Sequence, residues 1–193
     1  MSLTSAIQNL KDEMEKAGIV QEEGLGTELF HFSSTLAPVV NIDLLIVDER
    51  GRVLLSWRND QRAGTGWHVP GSCIRFRETL EDAIQRCARN EIGISVKHSR
   101  EPIKVFESHW KENQRPDLED QRERAHFITL AYGCRPDGTF DDAKQNTAEG
   151  DSGYLRWFET IPEDILPIQR CYLDNWNHLK KRIMEEAYDE LDE

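Results

Sequence analysis

The 193-residue sequence contains 38% hydrophobic and 31% charged residues, which favours a folded globular protein over a disordered chain. Its formal net charge of −12 argues against a broad nucleic-acid surface, because phosphate backbones require basic grooves, but permits a small anionic ligand held by local arginines and a metal ion. No apolar run is long enough to cross a bilayer, so a membrane partner is not expected.

The four cysteines lie far apart and include no C-x-x-C pair. This spacing argues against a zinc site or a disulfide framework, and it favours a reduced, cytoplasmic location. The length suits one sizeable domain and is short for two.

The N-terminal segment predicts a helix over residues 4–17. Apolar residues recur there at intervals of three and four, and Gly18 follows as a stop signal. A glycine-containing linker, residues 21–27, comes next.

Two β-rich runs follow, at residues 39–47 and 52–57. The turn sequence at 48–51 separates them, so the two runs are predicted to pair as a hairpin. The polar residues 59–66 are predicted to form a loop.

A second helix is predicted over residues 79–91, with Gly93 at its end as a left-handed cap. Further strands are predicted at 103–110, 126–134 and 154–158, separated by polar stretches at 111–124 and 136–152. A long C-terminal helix is predicted at 168–191. Strands combined with one central helix and terminal helices indicate a single α+β domain.

The segment from Gly71 to Ile94 is the most informative one. It contains a loop glycine, Glu78 before a helix, Arg86 in the middle of that helix, and Glu91 two residues before Gly93. This pattern resembles the signature of the Nudix hydrolases, in which a loop–helix–loop holds divalent metal against a diphosphate.

The signature departs from the usual one in three places. Six residues separate Gly71 from Glu78 where the family has five, and Cys87 and Asn90 stand where the family has glutamates. The extra residue and the reduced carboxylate count resemble the subgroup of GDP-mannose mannosyl hydrolases. Upstream and downstream motifs extend this resemblance over roughly residues 38–158.

The resemblance implies a Nudix-type mixed β-sheet sandwiched between helices. Residues 1–37 would form an N-terminal helical extension, 38–158 the core, and 159–193 the C-terminal helix. It also implies a dimer, for which the N-terminal helix is a candidate element.

The remaining helix carboxylate limits the metal content. Positions 87, 90 and 91 share one helical face, so the loss of two carboxylates leaves enough charge for one Mg²⁺ rather than a cluster. The resemblance implies that the ligands are the Gly71 carbonyl, Glu91 and Asp151, with Glu149 as the alternative to Asp151.

Three residues are candidates for the general base. Ser152 occupies the position of the subgroup's histidine and cannot act as a base unaided. Glu149, Asp151 and His126 are the candidates to replace it.

Other positions are candidates for substrate contact through the resemblance. Asp43 and Arg58 match substrate-contacting positions, and Arg75 lies two residues from Cys73, where the subgroup has an arginine that assists the leaving group. Arg86 either orients the signature, touches substrate, or pairs with Asp82 four residues earlier. Trp67 is a candidate wall for a base or sugar, although packing is the commoner task of tryptophan.

These features predict a magnesium-dependent hydrolase of a nucleoside diphosphate sugar that resembles GDP-mannose, releasing sugar and nucleoside diphosphate. A pyrophosphatase that cleaves the diphosphate linkage is the alternative enzyme. A Nudix module that binds a nucleotide sugar without catalysis is the third interpretation. In each case the ligand is a small nucleoside diphosphate derivative.

Overall fold

The computed structural model describes residues 2–60, 64–109, 122–138 and 147–185. Within these ranges the helices are α1 Leu3–Lys16, α2 Thr27–Ser34, α3 Leu80–Ile92 and α4 Cys171–Glu185, with a 3₁₀ turn at Pro167–Gln169. The strands are β1 Val39–Ile46, β2 Val53–Asp60, β3 Gly64–His68, β4 Gly71–Cys73, β5 Ser95–His98, β6 Lys104–His109, β7 His126–Asp137 and β8 Leu155–Phe158. None of these helices is both long enough and apolar enough to cross a membrane.

The strands form two sheets. The larger sheet has the order β4-β1-β7-β5, with β6 also paired to β7, and the smaller sheet has the order β3-β2-β8. Strands β1 and β7 are parallel, whereas the other pairs are antiparallel. The predicted α+β fold with a mixed sheet is therefore confirmed.

Strand β1 is buried on both faces, and this explains its nearly continuous apolar sequence. Alternate residues point to opposite sides, so Ile42 and Leu44 pack with α3, whereas Leu45 packs with α4. The two hydrophobic clusters place β1 at the centre of the molecule.

Helix α3 matches its prediction within one residue. The Thr79 hydroxyl accepts a hydrogen bond from the Asp82 backbone N–H at 3.1 Å, and Gly93 ends the helix in the left-handed region with φ 78°. These two caps set the bounds of the helix that carries Glu91.

The predicted pairing of the first two strands as a hairpin is wrong. They lie in different sheets, and the backbone pairing between the two runs is an isolated bridge between Val47 and Val53. Both strands are apolar enough to suit several neighbours, and a turn sequence does not tell whether the chain folds back or crosses to another sheet.

The predicted loop at residues 59–66 is also wrong in part, because β2 extends to Asp60 and β3 begins at Gly64. Backbone pairing tolerates polar residues there, since Asn59 and Thr65 project side chains into solvent.

Helix α1 is confirmed, and none of its residues is buried. Helix α2 and strand β5 were not predicted. The C-terminal helix begins at Cys171, three residues later than expected, because a 3₁₀ turn precedes it. Several predicted segments lie outside the described residues: 61–63 of the loop, Trp110, 111–121 and 139–146 of the two polar stretches, and 186–191 of the C-terminal helix.

Candidate active site

Glu91 lies in the last turn of α3 and faces His68 at the end of β3. The carboxylate oxygen Oε2 is 3.5 Å from His68 Nε2, and the side chain of His68 is only 5% exposed. The other ring nitrogen, Nδ1, donates to the Ser56 carbonyl at 2.7 Å. Within the described ranges, His68 Nε2 and the neighbouring Ser56 hydroxyl have no hydrogen-bond partner.

These donors fit a divalent cation. Burial of an imidazole nitrogen without a partner is costly, and a carboxylate beside it offers a second ligand atom. Gly71 and His68 border the same cavity, which brings the glycine predicted as a carbonyl ligand to this end of β3.

The third predicted ligand, Asp151, lies on an exposed loop. This loop is attached to β2, because the Gly153 N–H donates to the Trp57 carbonyl at 2.8 Å. Glu149, the alternative, is 71% exposed and lies 3.5 Å from Arg156. Both carboxylates are therefore accessible to water.

Arg86 binds Glu78 rather than Asp82. Its Nε donates to Glu78 Oε1 at 2.5 Å and its Nη2 to Oε2 at 2.8 Å, while its remaining nitrogen donates to the Ser72 hydroxyl at 2.9 Å. The hydrogen bond from Arg86 holds the pKa of Glu78 below its usual value. Because these protein groups occupy the guanidinium, the contacts favour a role for Arg86 in orienting the signature over contact with the substrate.

A cavity of about 240 Å³ lies beside Gly71, between the large sheet and the start of α4. Arg58 and Arg124 line it together with Phe106 and Phe127. Guanidinium groups and aromatic rings suit an anionic ligand that also carries a ring.

Asp43 is the buried acid of this cavity, with 3% of its surface exposed. Its carboxylate accepts hydrogen bonds from the Tyr172 hydroxyl at 2.8 Å, Gln169 Nε2 at 3.1 Å and Asn41 Nδ2 at 2.6 Å. Burial raises the pKa of Asp43 to about 6, against the opposing effects of these donors and of Arg58. Three donors from three elements fix the orientation of this carboxylate.

Gly71 is required by this arrangement on steric grounds. A Cβ at this position would overlap Asp43 Oδ1 and would lie 2.9 Å from the Ile42 carbonyl oxygen. The opening glycine of the signature is thus fixed by the buried acid of the adjacent strand.

Two predicted substrate contacts lie away from the cavity. Trp67 is buried and its ring packs edge-on against Trp57 at 5.1 Å and Phe158 at 4.7 Å between centroids. Packing in the core therefore accounts for the position of Trp67. Arg75 is half-exposed on the loop after β4 and is not among the cavity-lining residues, whereas Cys73 is.

His126 also lies away from the cavity. Phe127 and Thr129 of β7 line the cavity, so His126 points to the opposite face of the sheet. There its Nε2 and that of His109 each lie 3.2 Å from Glu107 Oε1. This placement argues against His126 as the general base.

Four residues of the site were not predicted from the sequence, namely His68, Arg124, Gln169 and Tyr172. Only His68 was adjacent to a recognised motif, in the run Trp67-His68-Val69-Pro70 before Gly71. The other three come from distant segments without a distinguishing local pattern.

A helix-borne carboxylate, a glycine-led strand before that helix and an arginine-lined cavity together suit the class of proteins that bind anionic small molecules. A family model described as the NUDIX domain matches residues 37–169. The chain belongs to this family.

Among known proteins, the chain is 31% identical over 138 residues to the low-salt glycan biosynthesis protein Agl8 of Haloferax volcanii, covering 71% of this chain and 81% of that protein. A MutT NUDIX hydrolase from Burkholderia pseudomallei has a similar structure, with a TM-score of 0.53 and 22% identity, covering 72% of this chain and 97% of the other. The ORF135 protein of E. coli gives a TM-score of 0.52 at 18% identity, covering 77% and 94% respectively.

Family membership supports a hydrolase that acts on a nucleoside diphosphate compound, and enzymes of this family generally use divalent metal ions.

The contact between Glu78 and Arg86 gives a prediction for stability. Glu78→Gln should lower the free energy of unfolding by about 2 kcal/mol at neutral pH, because it removes a charged hydrogen-bond acceptor from Arg86, whose side chain is only 16% exposed. The folded pKa of Glu78 lies below its usual 4.5, so the stabilisation is complete above that value and is lost as pH falls through the folded pKa.

Urea denaturation from neutral to acid pH measures this effect. The difference between wild type and variant should stay constant down to about pH 5 and then shrink. A difference that grew at acid pH would contradict the assignment. Glu163→Gln, at an exposed carboxylate, is the matched control.

The steric role of Gly71 gives a second prediction. Gly71→Ala should destabilise the fold by about 1–3 kcal/mol, because the added methyl group displaces an Asp43 carboxylate that three donors hold in place. The same substitution in an Asp43→Ala background should cost less, which a double-mutant cycle measures by urea denaturation. Equal costs in the two backgrounds would exclude the carboxylate as the cause.

Proposed function

We propose that this protein is a metal-dependent hydrolase of a nucleoside diphosphate sugar, releasing the sugar and the nucleoside diphosphate. The buried Asp43 carboxylate in the cavity beside Gly71 is the observation that carries this proposal. A fixed carboxylate accepts hydrogen bonds and therefore suits recognition of sugar hydroxyls. A site that binds only a diphosphate does not require such an acceptor.

The size of the cavity supports one sugar ring. Its volume of about 240 Å³ is below the roughly 300–1,000 Å³ of sites that enclose whole drug-sized ligands. We expect the sugar to enter this cavity and the nucleoside to lie outside it. The glycan biosynthesis function in the name of the Haloferax relative agrees with a sugar-containing substrate, because activated sugars are the building blocks of glycans.

The proposed mechanism divides the charges of the substrate between two ends of the cavity. A divalent cation bound at Glu91 would neutralise the diphosphate. Arg58 and Arg124 contact the phosphate oxygens from the cavity wall, and Asp43 accepts hydrogen bonds from sugar hydroxyls. Binding of the sugar at one end and of the diphosphate at the other holds the bond between the anomeric carbon and the phosphate oxygen in a fixed position.

In the reaction, a water oxygen forms a bond to the anomeric carbon as the bond from that carbon to the phosphate oxygen breaks. The electron pair of the broken bond leaves with the nucleoside diphosphate. Asp151 or Glu149 takes the proton from the water, since both lie on the solvent-accessible loop before β8. Arg86 and Glu78 hold the loop and helix in register.

Hydrolysis in ¹⁸O-labelled water tests the site of attack. Purified protein with Mg²⁺ or Mn²⁺ should convert at least one member of a nucleotide-sugar panel, with the label in the sugar. Glu91→Gln should lower kcat/KM by about 100-fold or more, as expected for loss of a charged group at the cation. Glu163→Gln is the control.

Two results would contradict this proposal in different ways. Label in the nucleotide phosphate would mean attack at phosphorus and would support the pyrophosphatase. Binding of nucleotide sugars by calorimetry without any product would support a non-catalytic module.

The role of Asp43 gives a further prediction. Asp43→Asn should lower kcat/KM by about 10- to 100-fold, because a charged hydrogen-bond acceptor contributes about 1.5–3 kcal/mol. Tyr172 and Gln169 can still donate to the asparagine oxygen, so thermal unfolding should show a folded variant. If kcat/KM is unchanged in the folded variant, Asp43 does not contact the substrate.

A further inference from the structure

The ring of His68 is held in a fixed orientation beside Glu91. His68 pairs with Ser56 across the β2–β3 ladder, and its Nδ1–H donates to the Ser56 carbonyl. This bond leaves Nε2 as the ring atom that faces Glu91. A hydrogen bond from one ring nitrogen to a backbone carbonyl is the usual way in which proteins orient a metal-binding histidine.

We propose that His68 Nε2 and Glu91 bind the same divalent cation, so that the site takes a nitrogen-accepting ion such as Mn²⁺ in preference to Mg²⁺. This inference rests on the proposed metal-dependent function and adds a ligand that the signature does not contain. Three observations support it. His68 Nε2 lies 3.5 Å from Glu91 Oε2, the His68 ring is buried, and Nε2 has no hydrogen-bond partner among the described residues.

The separation of the two atoms suits a shared ion better than a direct hydrogen bond. Nitrogen and oxygen ligands lie about 2.0–2.2 Å from a bound metal ion, so two of them are about 3.0–3.4 Å apart at octahedral to tetrahedral angles. A direct N–H···O bond has its optimum near about 2.9 Å. The observed 3.5 Å therefore needs little adjustment to accept an ion.

The rest of the helix face explains why a histidine would be needed. Cys87 is fully buried in the core, and burial raises the pKa of its thiol far above the usual value, so it does not offer a thiolate. Position 90 is an asparagine. The imidazole thus adds a donor where two carboxylates of the family signature are missing.

The choice of ion follows from ligand chemistry. Mg²⁺ strongly prefers oxygen ligands, whereas Mn²⁺, although it lies at the weak end of the transition series, also accepts an imidazole nitrogen. A mixed set of nitrogen and oxygen ligands therefore moves the preference from Mg²⁺ towards Mn²⁺. The alternative is a protonated His68 that forms an ion pair with Glu91 and never touches the metal.

Pulsed EPR of bound Mn²⁺ separates these alternatives, because a directly bound imidazole produces a ¹⁴N coupling. Tag-free protein should be used in a His109→Ala/His126→Ala background, since the surface group of Glu107, His109 and His126 also offers ring nitrogens. We expect one imidazole coupling, and a Mn²⁺ affinity at least about tenfold above that for Mg²⁺ by calorimetry.

In the same background, His68→Gln should abolish the coupling and weaken Mn²⁺ binding by about 10- to 100-fold, with little effect on Mg²⁺. His98→Gln, at a histidine bonded to Glu81 on the other end of α3, should keep both properties. If the ¹⁴N coupling is absent from the protein that retains His68, or survives in a folded His68→Gln variant, the inference is overturned. The first of these measurements does not depend on folding of the His68 variant.

The failure of this inference can be told apart from failure of the proposed function. A protein that releases sugar from a nucleotide sugar but shows no ¹⁴N coupling retains the function and loses the inference. A protein that shows the coupling but forms no product retains the metal ligand and loses the function.

Discussion

The burial of the Asp43 carboxylate at the centre of the large sheet constrains much of the site around it. A carboxylate in this position must be hydrogen-bonded, because burying even an uncharged polar group without a hydrogen bond costs about 2–7 kcal/mol. Asn41, Gln169 and Tyr172 meet this requirement and come from β1, the 3₁₀ turn and α4. One side chain thereby connects the first core strand to the C-terminal helix.

The same carboxylate determines what can stand next to it. Strand β4 runs beside β1 with Gly71 opposite Asp43, and only a residue without Cβ fits there. Strand β4 leads directly into the loop and helix that carry Glu78, Arg86 and Glu91. The packing around Asp43 therefore requires the glycine at position 71, and the strand that begins with this glycine leads to the candidate metal site.

Arg86 links strand β4 to helix α3 and so fixes the position of the helix relative to the strand. Its bonds to Glu78, Ser72 and Cys73 join α3 to β4 and to the loop between them. A bidentate pair of this kind fixes direction as well as distance, because the guanidinium is planar. Glu91, five residues later on α3, is thus held against His68 by the frame that Arg86 maintains.

Local patterns in the sequence determined the elements whose cause is local. Helix α3 has an N-cap residue, an apolar stripe and a terminal glycine within one continuous segment, and its bounds were predicted to within one residue. The signature from Gly71 to Glu91 likewise identified the family, because its residues are close in sequence and their spacing is fixed by the helix. Asp43 and Arg58 were also singled out, and both lie at the cavity.

Only the tertiary structure decided which strands pair and which distant groups meet. The assignment of β1 and β2 to different sheets depends on β4, β7 and β8, and a turn sequence carries no information about those partners. His68 came to face Glu91, and His126 came to face away from the cavity, through strand register, where a shift of one residue reverses the side chain. The sequence by itself determined the helix that carries the acid and the family to which it belongs. The fold decided which histidine faces that acid, because contact between remote segments is a property of packing rather than of local spacing.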